Sequence, residues 1–328
     1  MNKQLDNKKI CFLGASIIQN GEFIAYLRSY FFQKKDKGFP YFFNRGLGGN
    51  RASMVHALFA DEIVSLKPDY CFILFGLNDM GIWLYDSKEE ETSKLLMERE
   101  ERDELFYAGI FETVEALKKQ GIIPILISTL AVNERLVERE DIETVADNKE
   151  KGQLIGDGFY KRTTFENINR KLRVYSERLK KYSKEANFDF IDGCNYFYAL
   201  LDDAEKLFRE DGIHLTKYGQ ETIAKMILEY LDCKNIPERF EISEYAKILF
   251  DIEKIEREIQ YVKWAVFHPD LGYNMAEIEQ NAKAKLLHSG TSAKIKQSIQ
   301  SYFQYNGKVD GLRTKLWELM QGNTTATD

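Results

Sequence analysis

The sequence predicts a three-layer α/β/α sandwich built on a parallel sheet of about five strands, followed by a helical C-terminal subdomain. Up to about residue 232, short and nearly continuous apolar runs alternate with helical patterns, as in parallel sheets that are buried on both faces. After Cys233 there is no convincing strand-like run, and apolar residues recur every three or four positions, as on one face of a helix.

The predicted strands are the apolar runs at residues 10–13, 40–44, 70–75, 122–128 and 188–192. The helical patterns cover residues 21–34, 51–66, 88–120, 160–186 and 216–231. Right-handed crossovers are expected between parallel strands. Two connections, residues 80–110 and 131–159, are longer than the fold needs, and such insertions often form lids or binding walls. The charge run at 88–104 is more typical of a solvated helix.

The chain is predicted to divide into one domain over residues 1–235 and a helical region over residues 236–328, with "KNIPER" as a short linker. The first helix of this region is predicted from spaced apolar residues, namely Ile248, Leu249, Ile252, Ile255, Ile259, Val262 and Val266. Further helices are predicted near 274–288, 291–304 and 309–320. One interpretation is that these helices bind a partner or join two copies as a homo-oligomer.

The bulk properties favour small molecules, sugars or proteins as partners over nucleic acid. The 328 residues carry a net charge of −6, so no excess of Lys and Arg is available to neutralise phosphates. No stretch approaches the roughly eighteen apolar residues of a membrane-spanning helix, and the N-terminal apolar run is too short for a signal peptide. The cysteines occur singly, at Cys11, Cys71, Cys194 and Cys233. Reduced thiols in a cytoplasmic protein are therefore expected.

Small and polar residues follow the first three predicted strands. The first strand ends in Gly14-Ala15-Ser16, the second leads into "NRGLGGNRAS", and the third leads into "FGLNDM". Ligands of open α/β sheets bind outside the carboxyl ends of the strands, so these loops should meet at one edge. A fourth cluster, "EDGIHLTKYG", places Asp211 and His214 just before a helix.

These residue types suit acyl transfer. A serine hydroxyl needs a base to take its proton, and histidine, with an ordinary pKa near ~6.5, suits that task. Asp211 lies three residues before His214, so one turn can present both side chains and the carboxylate can fix the imidazole tautomer. A backbone N–H of a glycine loop and an asparagine amide can stabilise the oxyanion of the tetrahedral intermediate.

Together, the four blocks resemble the SGNH hydrolases, also called GDSL esterases and lipases, over roughly residues 9–232 and in the family's order. The resemblance implies a flavodoxin-like SGNH fold, with Ser16 as nucleophile and Asp211 and His214 completing the triad. It also implies an oxyanion hole formed by the backbone N–H groups of Ser16 and Gly49 and by the side chain of Asn78. The resemblance does not extend to the C-terminal helical region.

Two positions depart from the pattern of the SGNH family. Ala15 stands where the family usually has Asp, and Asn50 stands where Asp often follows the second-block glycine. Neither position carries the proton transfer or the oxyanion contact, so we expect hydrolase chemistry to be retained. In the family the replaced side chains usually tie the active-site loops together, so these two positions bear on the geometry of those loops.

Each candidate residue also has a structural interpretation. Ser16 could cap the following helix and Asn78 could be a turn residue, but the partner blocks favour the catalytic roles. Asp79 is expected to support its loop. For Trp83 and Tyr85, stacking on a sugar ring or walling an acyl pocket is as plausible as core packing.

The remaining histidines, His56, His268 and His288, are expected to be structural. The glycine-rich "RGLGGN" lacks the spacing of nucleotide loops, and no side-chain cluster has the spacing of metal ligands. No cofactor and no metal are predicted.

The sequence thus predicts a serine esterase that acts on a small acyl ester, with acetyl on a sugar or saccharide as the first choice. A lipid or thioester acylhydrolase and an acyltransferase are the alternatives within this chemistry. An interaction protein with a residual hydrolase site is the alternative from another class.

Overall fold

The computed structural model describes residues 5–33, 39–55, 62–85, 92–134, 167–267, 304, 308–309 and 311–314. The side chains of Trp83 and of residues 258–259 and 261–267 lie outside this description. The predicted helix at 274–288, nearly all of the one at 291–304, and most of the insertion at 131–159 also lie outside it.

The sheet has five parallel strands in the order β2-β1-β3-β4-β5. The strands are β1 (Lys9–Gly14), β2 (Tyr41–Gly46), β3 (Tyr70–Leu74), β4 (Ile123–Ile127) and β5 (Asp189–Ile191). Each lies within one or two residues of its predicted run, and the predicted α/β sandwich is confirmed. The order makes β2 an edge strand and β1 an interior strand.

Both faces of the sheet are buried, which explains why its strands are apolar at nearly every position. Phe12 of β1 belongs to one hydrophobic cluster, whereas its neighbours Cys11 and Leu13 belong to the cluster on the opposite face. The ring of Phe12 stacks on that of Phe72 in β3, with 5.0 Å between the centroids. Alternating side chains of one strand therefore fill two separate cores.

The helices flank the sheet on both faces. In chain order they are α1 (Ser16–Asn20), α2 (Glu22–Gln33), α3 (Leu77–Met80), α4 (Ser93–Lys119), α5 (Ile168–Glu185), α6 (Gly193–Tyr198), α7 (Ala204–Leu207), α8 (Lys217–Tyr230) and α9 (Glu244–Phe267). None of these described helices is both long and apolar enough to cross a bilayer.

Two local features differ from the sequence-based expectation. A short helix, α1, precedes the predicted one, and Gly21, with a φ of +54°, ends it. A helix of five residues shows no periodicity, so no pattern could reveal it. The described ends of the predicted helix at 51–66 are 3-10 turns at Ala52–Met54 and Val64–Leu66. The Ala52 N–H donates to the carboxylate of Asp79, a tertiary contact that fixes this turn.

The C-terminal helix α9 packs on the sandwich, against α2 and beside the edge strand β2. Its apolar face includes Ala246, Ile248 and Ile252, which are buried. A helix laid along a sheet edge protects the unpaired backbone groups of the edge strand. The proposed boundary between residues 1–235 and 236–328 remains a prediction, and α9 is the first element beyond it.

Candidate active site

The loops that follow β1, β2 and β3 lie next to one another because β1 pairs with both other strands. Gly14 of β1 is paired with Gly46 of β2 and with Leu74 of β3. Ser16 begins α1 just after β1, and Asn78 lies in α3 just after β3. From β1 the chain runs first to β2 on one side and then to β3 on the other. The carboxyl ends of β1, β2 and β3 therefore form a topological switch point, which is the usual ligand site of open α/β sheets.

Ser16, His214 and Asp211 form a continuous chain of hydrogen bonds. The Ser16 Oγ lies 3.0 Å from His214 Nε2, and His214 Nδ1 lies 2.6 Å from Asp211 Oδ2. With the proton on Nδ1, His214 donates to Asp211 and its Nε2 can accept the proton of Ser16. The side chains of Asp211 and His214 remain 30% and 25% exposed, so a ligand can reach this group.

The turn that holds Asp211 and His214 is fixed by its own backbone. The Asp211 Oδ1 accepts the N–H groups of Ile213 and His214, each at 2.8 Å. The carbonyl of Gly212 accepts the N–H of Asn133, which follows β4. Burial alone would raise the pKa of Asp211, but the hydrogen bond from the His214 ring and those from the two N–H groups outweigh it. Its pKa is therefore below the ordinary value, and the carboxylate is charged at neutral pH.

The glycine loop after β2 is attached to both neighbouring loops. Gly49 is exposed, has a φ of +75°, and would meet no atom within 4 Å if it carried a Cβ. Glycine is thus favoured at position 49 by the positive φ and not by a lack of space for a side chain. The Gly48 N–H donates to the side chain of Gln19 in α1. Asn78 Nδ2 donates to the Asn50 carbonyl at 3.0 Å, which leaves the second amide hydrogen of Asn78 for another acceptor.

The carboxylate of Asp79 joins the loops after β2 and β3 through two hydrogen bonds. Its Oδ1 accepts the Ala52 N–H at 2.7 Å and its Oδ2 accepts the Gly76 N–H at 3.0 Å. The side chain is buried, and burial raises its pKa to about 6 although both hydrogen bonds act in the opposite direction. These contacts agree with the supporting role that the sequence predicts for Asp79.

Asn44 is a further residue of the site that the sequence motifs did not indicate. Its side chain is 2% exposed, its Nδ2 donates to the Ile18 carbonyl in α1 at 2.7 Å, and its Oδ1 accepts the Gly46 N–H at 2.9 Å. Asn44 thereby links the helix that begins at Ser16 to the start of the glycine loop. The available signal was a polar residue within the otherwise apolar run "PYFFN".

The two positions that depart from the SGNH pattern are accommodated without distortion of the hydrogen-bond chain. Ala15 packs partly buried against the hydrophobic core, and its carbonyl accepts the Gln19 N–H at 2.9 Å. Asn50 is 1% exposed, and its Oδ1 accepts the Arg51 N–H at 3.0 Å. The ties between the loops come instead from Asp79, from Asn44 and from the side chain of Gln19.

The other residues singled out from the sequence are two aromatic residues after α3 and three histidines. Trp83 and Tyr85 belong to the 3-10 turn Ile82–Tyr85 after α3. The Arg99 guanidinium lies over the Tyr85 ring, 4.4 Å from its centroid, and Tyr85 is partly buried against the core. The three other histidines, His56, His268 and His288, lie outside the described residues.

Comparison with known proteins defines the family. The family model of the GDSL-like lipase/acylhydrolase family matches residues 12–222, which is more than half of the chain. The chain belongs to this family. The predicted family and the predicted class of enzyme, a serine hydrolase of carboxylic esters, are thereby confirmed.

Two solved structures share the fold of this GDSL-like protein. A gut microbial diltiazem-metabolizing enzyme has a TM-score of 0.70 and 11% identity, covering 97% of this chain and 96% of its own. An acetylxylan esterase from Geobacillus stearothermophilus has a TM-score of 0.53 and 17% identity, covering 73% of this chain and 100% of its own. At these identities the likeness concerns the fold alone.

One curated relative of the GDSL-like chain is an uncharacterized lipoprotein, YqeF, of Bacillus subtilis (strain 168). It is 31% identical over 91 residues, which cover 28% of this chain and 33% of the relative. The chain therefore matches only about a third of the length of that relative.

Proposed function

We propose that this protein is a serine esterase in which Ser16 is the nucleophile, His214 the general base and Asp211 the residue that orients His214. The observation that carries the proposal is the hydrogen-bond chain from Ser16 Oγ through the imidazole to Asp211. The low pKa of Asp211 supports it, because a charged carboxylate stabilises the imidazolium that forms during the reaction.

The proposed reaction has two steps. His214 Nε2 takes the Ser16 proton as Oγ attacks the ester carbonyl, and the tetrahedral intermediate then collapses as His214 returns the proton to the departing alcohol. Water, deprotonated by the same imidazole, next attacks the acyl-serine, releases the acid and restores Ser16. Each of the two steps passes through a tetrahedral intermediate that carries an oxyanion. The proposed donors to this oxyanion are the N–H groups of Ser16 and Gly49 and the second amide hydrogen of Asn78.

The structures of the acetylxylan esterase support this assignment of roles. These structures are of catalytic mutants in which a serine, an aspartate or a histidine is replaced by alanine. The aspartate and the histidine are numbered three apart, as Asp211 and His214 are in this chain.

For the substrate we propose a small acyl ester, with an acetyl group on a sugar or saccharide as the first choice. The neighbour that shares the fold is an acetylxylan esterase, which acts on an ester of this kind, and the net charge of −6 does not favour anionic surfaces. A lipid or thioester acylhydrolase and acyl transfer to a sugar acceptor are the alternatives. Trp83 and Tyr85 remain proposed walls of the acyl or sugar site.

The proposal is tested with Ser16→Ala and with Ser53→Ala as the matched control, because Ser53 is an exposed serine in the next loop. Ser16→Ala is expected to lose turnover of p-nitrophenyl acetate and labelling by a fluorophosphonate while keeping its circular dichroism spectrum. Ser53→Ala should keep both activities. Wild-type turnover by Ser16→Ala would refute the nucleophile, and faster turnover of C8 than of C2 esters would refute the acetyl preference.

A further inference from the structure

The C-terminal helix α9 lies beyond residues 12–222, the part of the chain that the family model matches, yet it reaches the strand that leads into the glycine loop. It packs against α2, β2 and α1, the helix that begins at Ser16. Two of its charged side chains, Glu253 and Arg257, are almost completely buried in this contact. Buried charges in a surface helix need a specific reason, because removal from water is costly.

Glu253 completes the hydrogen bonding of the edge strand. Its Oε1 lies 2.7 Å from Arg28 Nη2 of α2 and accepts the Asn44 N–H at 3.1 Å. The same Arg28 nitrogen donates to the Phe42 carbonyl at 2.6 Å. The backbone N–H of Asn44 and the carbonyl of Phe42 point away from β1, at the open edge of the sheet. The Arg28–Glu253 ion pair satisfies both groups, as a neighbouring strand would otherwise do.

The residue that Glu253 holds is the one that links the two active-site loops. The side chain of Asn44 donates to the Ile18 carbonyl in α1 and accepts the Gly46 N–H at the end of β2. A shift of the Asn44 backbone would therefore be transmitted both to the helix of Ser16 and to the loop of Gly49.

Arg257 makes a second attachment, one helical turn farther along α9. Its Nη1 donates to Glu62 Oε2 at 2.8 Å, and the same oxygen lies 3.2 Å from Arg45 Nε in β2. Arg257 also lines a cavity of about 10 Å³ together with Leu47 and Asn50 of the glycine loop. Both attachments of α9 thus act on the segment from β2 to Asn50.

We propose that α9 is a brace of the active site, and that Glu253 and Arg257 are positioning residues that hold the β2 strand and the glycine loop where the Gly49 N–H can reach the oxyanion. The proposal rests on the proposed role of Gly49 as an oxyanion donor. Replacing a buried ion pair by apolar residues of similar size often leaves stability unchanged, so the brace proposal predicts a loss in catalysis more than in folding.

Two variants test the brace without leaving a buried charge unpaired. The double variant Arg28→Met/Glu253→Met removes both partners of the ion pair and with them the acceptor of the Asn44 N–H. Arg257→Met removes the second attachment, while Glu62 keeps Arg45. The matched control is Glu256→Gln, on the same helix, because Glu256 is one third exposed and its ion pair is with the exposed Arg313.

The measurements are kcat and KM for p-nitrophenyl acetate, Ki for phenylboronic acid, and the fraction of enzyme labelled by a fluorophosphonate. A boronic acid forms a tetrahedral adduct on the serine, so its Ki reports the oxyanion site, whereas KM reports ground-state binding. For both test variants kcat is expected to fall on the order of tenfold and Ki to rise by a similar factor, with KM within about twofold of wild type. Arg257→Lys should recover most of the kcat lost by Arg257→Met.

The outcomes separate the brace from a merely structural role and from the proposed function. A lower labelled fraction with wild-type kcat and Ki per labelled site would overturn the brace, because the helix would then only stabilise the fold. Equal losses in Glu256→Gln would also overturn it. If Ser16→Ala is inactive while both brace variants keep the wild-type kcat, the brace fails and the proposed function stands; activity in Ser16→Ala would instead refute the proposed function.

Discussion

Replacing Asp79 by Asn should change how the stability of the protein depends on pH. Asp79 is 4% exposed, and burial raises its pKa from an ordinary 3.8 to about 6. A carboxyl group that binds its proton more tightly when folded stabilises the fold while it is protonated. That contribution is complete below pH ~3.8 and is lost as the pH rises through about 6, the folded-state pKa.

The magnitude follows from the pKa values. The difference between 3.8 and about 6 corresponds to about 3 kcal/mol, at 1.36 kcal/mol for each pKa unit. Asn does not titrate, so the free energy of unfolding of wild type minus that of Asp79→Asn should fall by about 3 kcal/mol between pH ~3.5 and ~7.5. At every pH the variant also loses one acceptor, because the Asn amide offers a single oxygen to the two N–H groups of Ala52 and Gly76. An unsatisfied buried donor costs about 1–3 kcal/mol.

The assay is urea unfolding followed by circular dichroism at several pH values across this range. Asp202→Asn, at an exposed aspartate of the same protein, is the matched control and should run parallel to wild type. A difference between wild type and Asp79→Asn that stays constant with pH would refute the buried, pKa-shifted carboxyl group. A difference that grows with pH would contradict the direction of the shift.

Three further substitutions test the site. Asp211→Asn should lower kcat for p-nitrophenyl acetate by a factor on the order of 10²–10⁴ with little change in KM, since the His214 tautomer is no longer fixed. Asn44→Ala should lower kcat by at least about tenfold and increase proteolysis within the loops after β1 and β2, because it removes the link between them. Gly14→Ala should prevent folding or lower Tm strongly, as judged by thermal denaturation. Its Cβ would lie 2.4 Å from Ile18 Cγ1 and 2.5 Å from the Leu74 carbonyl oxygen, and the latter is backbone and cannot move aside easily.

The sheet could be predicted from the sequence because strands buried on both faces are apolar at almost every position. The run "ICFL" became β1 in the structure because alternate side chains, such as Cys11 and Phe12, each enter a core. The candidate triad could also be predicted, since Asp211 and His214 share one turn and the position of Ser16 follows from the carboxyl end of β1. The sheet follows from periodicity and the meeting of the loops from the polarity of parallel strands, whereas the catalytic roles come from the resemblance to the SGNH hydrolases.

Features that depend on contacts distant in sequence could not be predicted in this way. Asn44 and Glu253 are 209 positions apart, and nothing local distinguishes Glu253 from the other acidic residues of α9. The three-four periodicity of Ile248 and Ile252 predicted a helix and its apolar face, but it could not say which surface that face would cover.

The position of α9 also bears on what the C-terminal region can do. An interaction role for the apolar face of α9 would require that face to be free of the sandwich, but its described residues Ala246, Ile248 and Ile252 are already buried. This face covers the edge of the sheet at β2. Without it, the unpaired backbone groups of β2 could pair with a strand of another chain. If Glu253 and Arg257 also set the geometry of the glycine loop, removal of the helix would impair catalysis and expose a sheet edge together. Loss of activity on truncation before Glu244 would then be accompanied by self-association of the remaining domain, and not by release of a monomer from an oligomer.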